Sequence, residues 1–147
     1  MEEYNRIVIP TDGTEENEKV VDEGLSLARM LGSKVKVLFV VDTGSLSGLP
    51  PDDMITTLES QIEAKANEIL GDIEYRAEDW GIPFEKSIQK GAPSEIIVSE
   101  AKENDLIVMG HHTRSGLSRL ITGSTAQKVI RKAECPVMVI RLEEDQS

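Results

Sequence analysis

Cysteine is almost absent from this chain of 147 residues, where Cys135 stands alone. A single thiol excludes an internal disulfide and an all-cysteine zinc site, and it suits a reducing compartment. Aromatic residues are nearly as scarce, at 3%, so a core must come from Val, Ile, Leu, Ala and Met. No apolar run approaches the ~20 residues that span a bilayer. The opening Met1-Glu2-Glu3-Tyr4 lacks the basic and then apolar regions of a signal peptide. A cytoplasmic protein is expected. Apolar content of 39% and charged content of 29% are ordinary for a globular chain. The length suits one domain over residues 1–147. A net charge of −11 repels nucleic acid and anionic membranes at long range, so neither is expected as a partner.

Acids are missing from one place in particular. The chain carries 27 aspartates and glutamates, yet residues 106–133 hold none. That window instead holds Arg114, Arg119, Lys128, Arg131 and Lys132, both histidines (His111 and His112), and Gly110, Gly116 and Gly123. It opens with the apolar run Leu106-Ile107-Val108-Met109. An apolar run, a basic glycine-containing loop and a helix starting at Gly123-Ser124 describe an anion site. Helix N-termini present unpaired N–H groups and a positive dipole end, and phosphate is their usual guest. The plainer alternative is that the segment packs against another surface, with Gly123-Ser124 as an N-cap.

Strand and helix patterns alternate along the chain. Arg6 to Thr11 is expected to be a short buried strand, followed by a turn at Asp12-Gly13-Thr14 and a helix from Glu15 to Leu31 closed by Gly32. Val21, Leu25 and Ala28 form the apolar stripe of that helix, widened by Val20, Leu27 and Leu31. Val35 to Val41 suits a strand covered on both faces. Residues 42–51 are a polar loop rich in Gly and Pro. A long helix is expected from about Asp52 to Asp79, where Ile55, Leu58, Ile62, Ala66, Ile69, Ile73 and Ala77 step by 3 or 4. Phe84 to Gln89 alternates with weaker burial, as an edge strand does. A third helix is expected over Ser94 to about Asn104, buried through Ile96, Ile97 and Ala101. The fourth strand is placed at Leu106 to Met109. A fourth helix is expected over Ser124 to Ala133, with Val129, Ile130 and Ala133 inward. Pro136 to Ile140 forms the fifth strand, and residues 143–147 form a polar tail. This alternation requires right-handed crossovers and a mostly parallel sheet with helices on both faces. Ligands of such sheets sit beyond the carboxyl ends of the strands, where strand order reverses. The loops after strands one and four lie on that rim.

Several chemistries lack their residues. There is no phosphate-binding loop ending in Gly-Lys-Ser/Thr, no Gly-Xaa-Gly-Xaa-Xaa-Gly fingerprint and no Gly-Xaa-Ser-Xaa-Gly elbow. A phosphoacceptor receiver domain would want clustered acids after strand one and an aspartate after strand three, where this chain has Gln89-Lys90-Gly91. Adjacent histidines in a loop point apart, and no third ligand is near His111-His112, which argues against zinc. No general base stands out beyond Asp12 or His112. Asp12 is either an N-cap or a contact to a nucleotide hydroxyl or to nucleotide-bound magnesium. Arg114 and Arg119 either meet phosphate or face solvent. Lys128, Arg131 and Lys132 suit the C-terminal dipole of the last helix. Cys135 suits packing.

The combination Ile7-Val8-Ile9-Pro10-Thr11-Asp12-Gly13, Asp105-Leu106-Ile107-Val108-Met109-Gly110, Arg114-Ser115-Gly116-Leu117, Gly123-Ser124-Thr125-Ala126 and Cys135-Pro136-Val137 resembles the universal stress protein superfamily from Arg6 to Arg141. Gly110 and Gly123-Ser124 match that family's nucleotide motif, Gly-two-Gly-nine-Gly-Ser/Thr. The resemblance implies an α/β domain, a doubly wound five-stranded parallel sheet of order 3-2-1-4-5, homodimers, and ATP with Mg²⁺. Carried over by residue, Pro10, Thr11 and Asp12 line the adenosine side, and Val41 offers main-chain contacts to adenine. Met109 and Gly110 pack on ribose and phosphate. His112, Thr113, Arg114, Gly123, Ser124 and Thr125 surround the phosphates. The homodimer is expected through the apolar strand Val137 to Ile140. The motif's second glycine is Thr113 here. If φ > 0 is needed there, a β-branched residue is strained by roughly 1–2 kcal/mol, and Thr113→Gly would tighten binding. Three functions fit: a dimeric ATP-binding sensor, a slow ATPase or protein autophosphorylating at Ser124, and an interaction module that holds no nucleotide.

Overall fold

The computed structural model describes residues 4–46, 53–113 and 124–143. Its elements follow in the order β1 (Arg6–Thr11), α1 (Glu18–Leu31), β2 (Lys34–Asp42), a 3₁₀ turn (Thr43–Leu46), α2 (Asp53–Asp79), β3 (Phe84–Gly91), α3 (Pro93–Glu100), β4 (Asp105–Thr113), α4 (Ser124–Lys132) and β5 (Val137–Glu143). The five strands form one sheet of order β3-β2-β1-β4-β5, and all four pairings are parallel. Strand order therefore reverses between β1 and β4, as the sequence resemblance implies.

Two apolar layers flank the sheet, because successive side chains of a strand point to opposite faces. Ile7 and Ile9 of β1, alternate β2 residues from Val35 to Val41, and Leu106 and Val108 of β4 pack against α1 and α2. Val8, Leu38, Ile107 and Met109 pack against α3 and α4. Helix α1 comes close to the sheet at Gly24, where an added Cβ would collide with the Ile9 side chain. Gly32 ends α1 in the left-handed conformation (φ 68°), and its N–H returns to the Ala28 carbonyl.

The structure corrects several sequence expectations. Helix α1 starts at Glu18, three residues later than the acids suggested, because Asp12 closes a turn onto Thr14 instead of capping a helix. Leu31 is exposed instead of inward. Helix α3 stops at Glu100. Ala101 is extended (φ −92°, ψ 133°), and the chain then turns so that the Asp105 carboxylate accepts the Lys102 N–H at 2.7 Å. In α4, Val129 is buried but Ile130 faces outward and Ala126 takes the inward place. Strand β4 does not end at Met109. It continues through Gly110-His111-His112-Thr113 because β5 runs beside it in register, from Ile107↔Val137 to Thr113↔Glu143. The stretch expected to be a loop is thus partly strand, both histidines lie in it, and the polar tail begins after Glu143. No non-glycine residue among those described has positive φ. Extended Thr113 therefore carries none of the strain anticipated for a left-handed position.

Candidate functional site

Strand pairing creates the site. β1 pairs with β2 up to Thr11↔Phe39, and β4 pairs with β5 up to Thr113↔Glu143. Between β1 and β4, however, pairing stops at Val8↔Ile107. Beyond that point the two strands part, and a crevice opens at their carboxyl ends. A cleft of about 310 Å³ lies over it, within the size range of small-molecule sites.

The cleft has three parts. One wall is apolar, with Pro10, Val40, Pro93, Ile97 and Met109. The floor, in the split itself, is Thr11, Asn17 and Gly110. The far end is Ser124, Thr125 and Ala126 in the first turn of α4. Nothing acidic lies in that first turn, while Arg131 and Lys132 occupy the last, so charge placement reinforces the helix dipole. First-turn N–H groups have no partner within the helix, and the hydroxyls of Ser124 and Thr125 add donors. Asp12 and Asp42 stand at the mouth. Asp12 Oδ1 accepts the Thr14 N–H at 2.9 Å and the Thr14 hydroxyl at 2.7 Å. Asp42 Oδ1 accepts the Gly44 N–H at 2.9 Å.

The floor is tightly built. Asn17, the N-cap of α1, makes no capping bond with its side chain. Its Nδ2 instead donates to Thr11 Oγ1 at 2.8 Å and to the Pro10 carbonyl at 3.5 Å. Gly110 must lack a side chain for this helix end to fit. An added Cβ would lie 2.7 Å from Leu142 Cδ1, 2.9 Å from Val20 Cγ2 and 3.4 Å from Asn17 Oδ1. Its Cβ direction is toward α1, so packing alone is enough to require glycine here.

The structure brings together Pro10, Thr11, Asp12, Met109, Gly110, Ser124 and Thr125 of the residues expected from sequence. Val41, expected to contribute its main chain, lies between two cleft residues. Its side chain is buried on the α1 and α2 side, and its neighbours Val40 and Asp42 face the cleft. His112 and Thr113 extend β4 past Gly110. Arg114 and Gly123 lie outside the described residues, as do Gly116 and Arg119. Sequence reasoning missed Asn17, Val40, Asp42, Pro93 and Ile97. The alternation of β2 could have singled out Val40, since Val41 shares a face with Val35, Val37 and Phe39. Pro93 and Ile97 come to the cleft through the crossover that lays α3 over β2, which no local pattern reports. Cys135 is buried in the layer under α3 and α4, and burial pushes its thiol pKa up.

The chain and its fold resemble known proteins. Residues 3–141 match the model of the universal stress protein family. A universal stress protein of Methanocaldococcus jannaschii is 34% identical over 140 residues, covering 94% of this chain and 82% of that one. The universal stress protein YxiE of Bacillus subtilis is 29% identical, covering 94% and 99%. Among solved structures, the universal stress protein UspA from Lactobacillus plantarum superposes with a TM-score of 0.75 at 25% identity, covering 96% of this chain and 100% of that one. A universal stress protein solved in complex with cAMP shares the fold, with a TM-score of 0.71 at 23% identity, covering 95% and 98%.

Proposed function

Because this chain belongs to the universal stress protein family, we propose that it is a small cytoplasmic module that binds ATP or a related adenine nucleotide and works as a dimeric sensor. The observation that carries this reading is the split between β1 and β4. It aligns an apolar slot, a polar floor and the amino end of α4 across one cleft. The base occupies the slot between Val40, Ile97 and Met109, the sugar lies over the floor, and the phosphates approach Ser124 and Thr125. That order matches chemistry to chemistry, since apolar walls take the ring and unpaired N–H groups take the anion.

The described residues fit such a ligand. They offer donors at the α4 end and the carboxylates of Asp12 and Asp42 at the mouth. Bound there, magnesium would neutralise phosphate charge, and Asp12 would hold its hydration shell. Arg114, outside the described residues, is assigned to the phosphates by the family resemblance alone.

Self-association is part of the proposal. Strand β5 is an edge strand, and its Met138 and Val139 are 42% and 37% exposed, with Ile130 of α4 also exposed. An exposed apolar edge favours pairing with a second copy. The deciding experiment is native mass spectrometry of the gently purified protein, followed by calorimetry with Mg-ATP. One nucleotide per chain and saturable binding are expected. No uptake of ATP, ADP or AMP at millimolar concentration would overturn the reading in favour of an interaction module without nucleotide. A timed phosphate-release assay then separates a binding module from a slow ATPase.

A further inference from the structure

We propose that the carboxyl ends of α1 and α2 together form a docking surface for a basic amphipathic helix of a partner protein. Among the described residues, seven large apolar side chains stand exposed. Ile130, Met138 and Val139 belong to the β5 edge and the neighbouring α4. The other four are Met30 (82%), Leu31 (42%), Tyr75 (74%) and Trp80 (39%). Met30 and Leu31 close α1, Tyr75 lies near the end of α2, and Trp80 directly follows it. This is the opposite edge of the sheet from the cleft, because both helices run back from the carboxyl ends of the strands. The two helix ends are tied together. Arg76 NH1 donates to Asp22 Oδ1 at 2.6 Å, and the Arg29 guanidinium sits 5.3 Å from the centre of the Trp80 ring.

Single exposed apolar residues are ordinary, but a cluster of them marks an interface. The chain has one tryptophan and two tyrosines. Trp80 and Tyr75 belong to neither core layer, and such rings anchor protein contacts. The charges beside them are acidic. Glu23 precedes Met30 by two turns on the same face of α1, and Asp72 and Asp79 flank Tyr75 along α2. Neither these three nor Glu78 forms an ion pair with another described residue. Glu78 and Asp79 also oppose the negative dipole end of α2, so they weaken their own helix. Of the nearby bases, Arg76 is paired with Asp22 and Arg29 lies against Trp80. A helix with an apolar stripe flanked by Lys and Arg complements both the patch and its rim. A second copy does not, because two such patches would set Glu78 and Asp79 against their own kind. An anionic membrane is repelled for the same reason.

The probe is a synthetic peptide of about 18 residues, leucine and lysine patterned as an amphipathic helix, with a scrambled peptide of equal composition beside it. Trp80, the sole tryptophan, reports binding by fluorescence, and calorimetry gives affinity and stoichiometry. Saturable one-to-one binding of the patterned peptide is expected, with a blue shift of Trp80 and roughly tenfold weakening between about 0.05 M and 0.5 M salt. Met30→Ser with Tyr75→Ser, both at exposed positions, is expected to weaken it about tenfold. Glu78→Gln with Asp79→Gln is expected to weaken it similarly and to flatten the salt dependence. Glu95→Gln with Glu103→Gln makes the same charge change on and just after α3, and is expected to leave binding within about twofold. Equal binding of the scrambled peptide, or an equal loss from the α3 pair, reduces the effect to bulk charge and overturns the proposal. So does a wild type that binds neither peptide. A change in sedimentation caused by Met30→Ser with Tyr75→Ser assigns the patch to a second copy and also overturns it.

Discussion

Arg6 and Asp105, 99 positions apart in sequence, grip each other across β1 and β4. The guanidinium reaches the Asp105 carboxylate through Nε at 3.2 Å and through NH2 at 2.9 Å, and NH2 also donates to the Glu100 carbonyl at 3.0 Å. The hydrogen bond to Asp105 raises the Arg6 pKa above its ordinary value. The pair fastens the amino ends of the same two strands whose carboxyl ends part to make the cleft. Asp105 is 2% exposed, so losing its partner would strand a buried charge.

Arg6→Met is therefore expected to destabilise the fold by about 3 kcal/mol, since breaking a buried pair by removing one partner is strongly unfavourable. The double variant Arg6→Met with Asp105→Leu is expected to recover much of that loss. Urea unfolding of the wild type, the single variant and the double variant measures both. An Arg6→Met midpoint equal to the wild type would show that the pair contributes nothing.

Gly110 supplies a second stability test. Gly110→Ala places a methyl group against Leu142, Val20 and Asn17, and such overpacking costs about 1–3 kcal/mol. A lowered urea midpoint with the helical circular dichroism retained is expected. An unchanged midpoint would show that α1 and β5 can move aside freely.

Val139→Asp addresses the edge. A charge placed on the apolar β5 edge is expected to abolish the proposed self-association without changing the secondary structure. Sedimentation velocity of both proteins decides this, and a monomeric wild type would remove β5 as an interface.

Cys135 gives a pH dependence. Burial raises the thiol pKa, with the negative charge of Asp105 acting in the same direction. At neutral pH the folded protein therefore keeps the unreactive thiol, and a disulfide reagent should label it slowly until urea exposes it. The folded state disfavours the thiolate, so this group contributes no penalty below the unfolded thiol's pKa. It draws stability away as pH rises above that value. Rapid labelling of the native protein at neutral pH would contradict the buried placement.

Most of the fold was legible because periodicity marks covered faces. The steps from Leu58 to Ala77 identified α2, and the apolar runs at Ile7 to Ile9 and Val35 to Val41 identified buried central strands. Weak alternation at Phe84 to Gln89 matched an edge position. What failed was local grammar that tertiary contacts override. The glycine-containing stretch from 110 suggested a loop, but pairing with β5 holds residues 110–113 in a strand. Acids at 15 and 16 suggested a helix start, but Asn17 is drawn to Thr11 and the helix waits until Glu18. Pro93 and Ile97 of the cleft wall come from α3, which packs over β2, and no spacing in the chain announces that contact. Thr113 looked strained only on the assumption of a left-handed backbone. In an extended strand, Thr113→Gly relieves no strain and gives up the β-branched residue's preference for that conformation.

The β1–β4 ladder is the shortest in the sheet, with three residue pairs from Arg6↔Asp105 to Val8↔Ile107 and the Asn5 N–H bonded to the Asn104 carbonyl just before them. The three-stranded and two-stranded portions are each zipped over longer stretches than the seam that joins them. A molecule lodged across that seam would act as a rivet at the carboxyl end of two portions that the Arg6–Asp105 pair already fastens at the other end. Its arrival would register far from its own atoms as slower amide exchange along both lips of the seam, so occupancy becomes a change in the stiffness of the whole sheet.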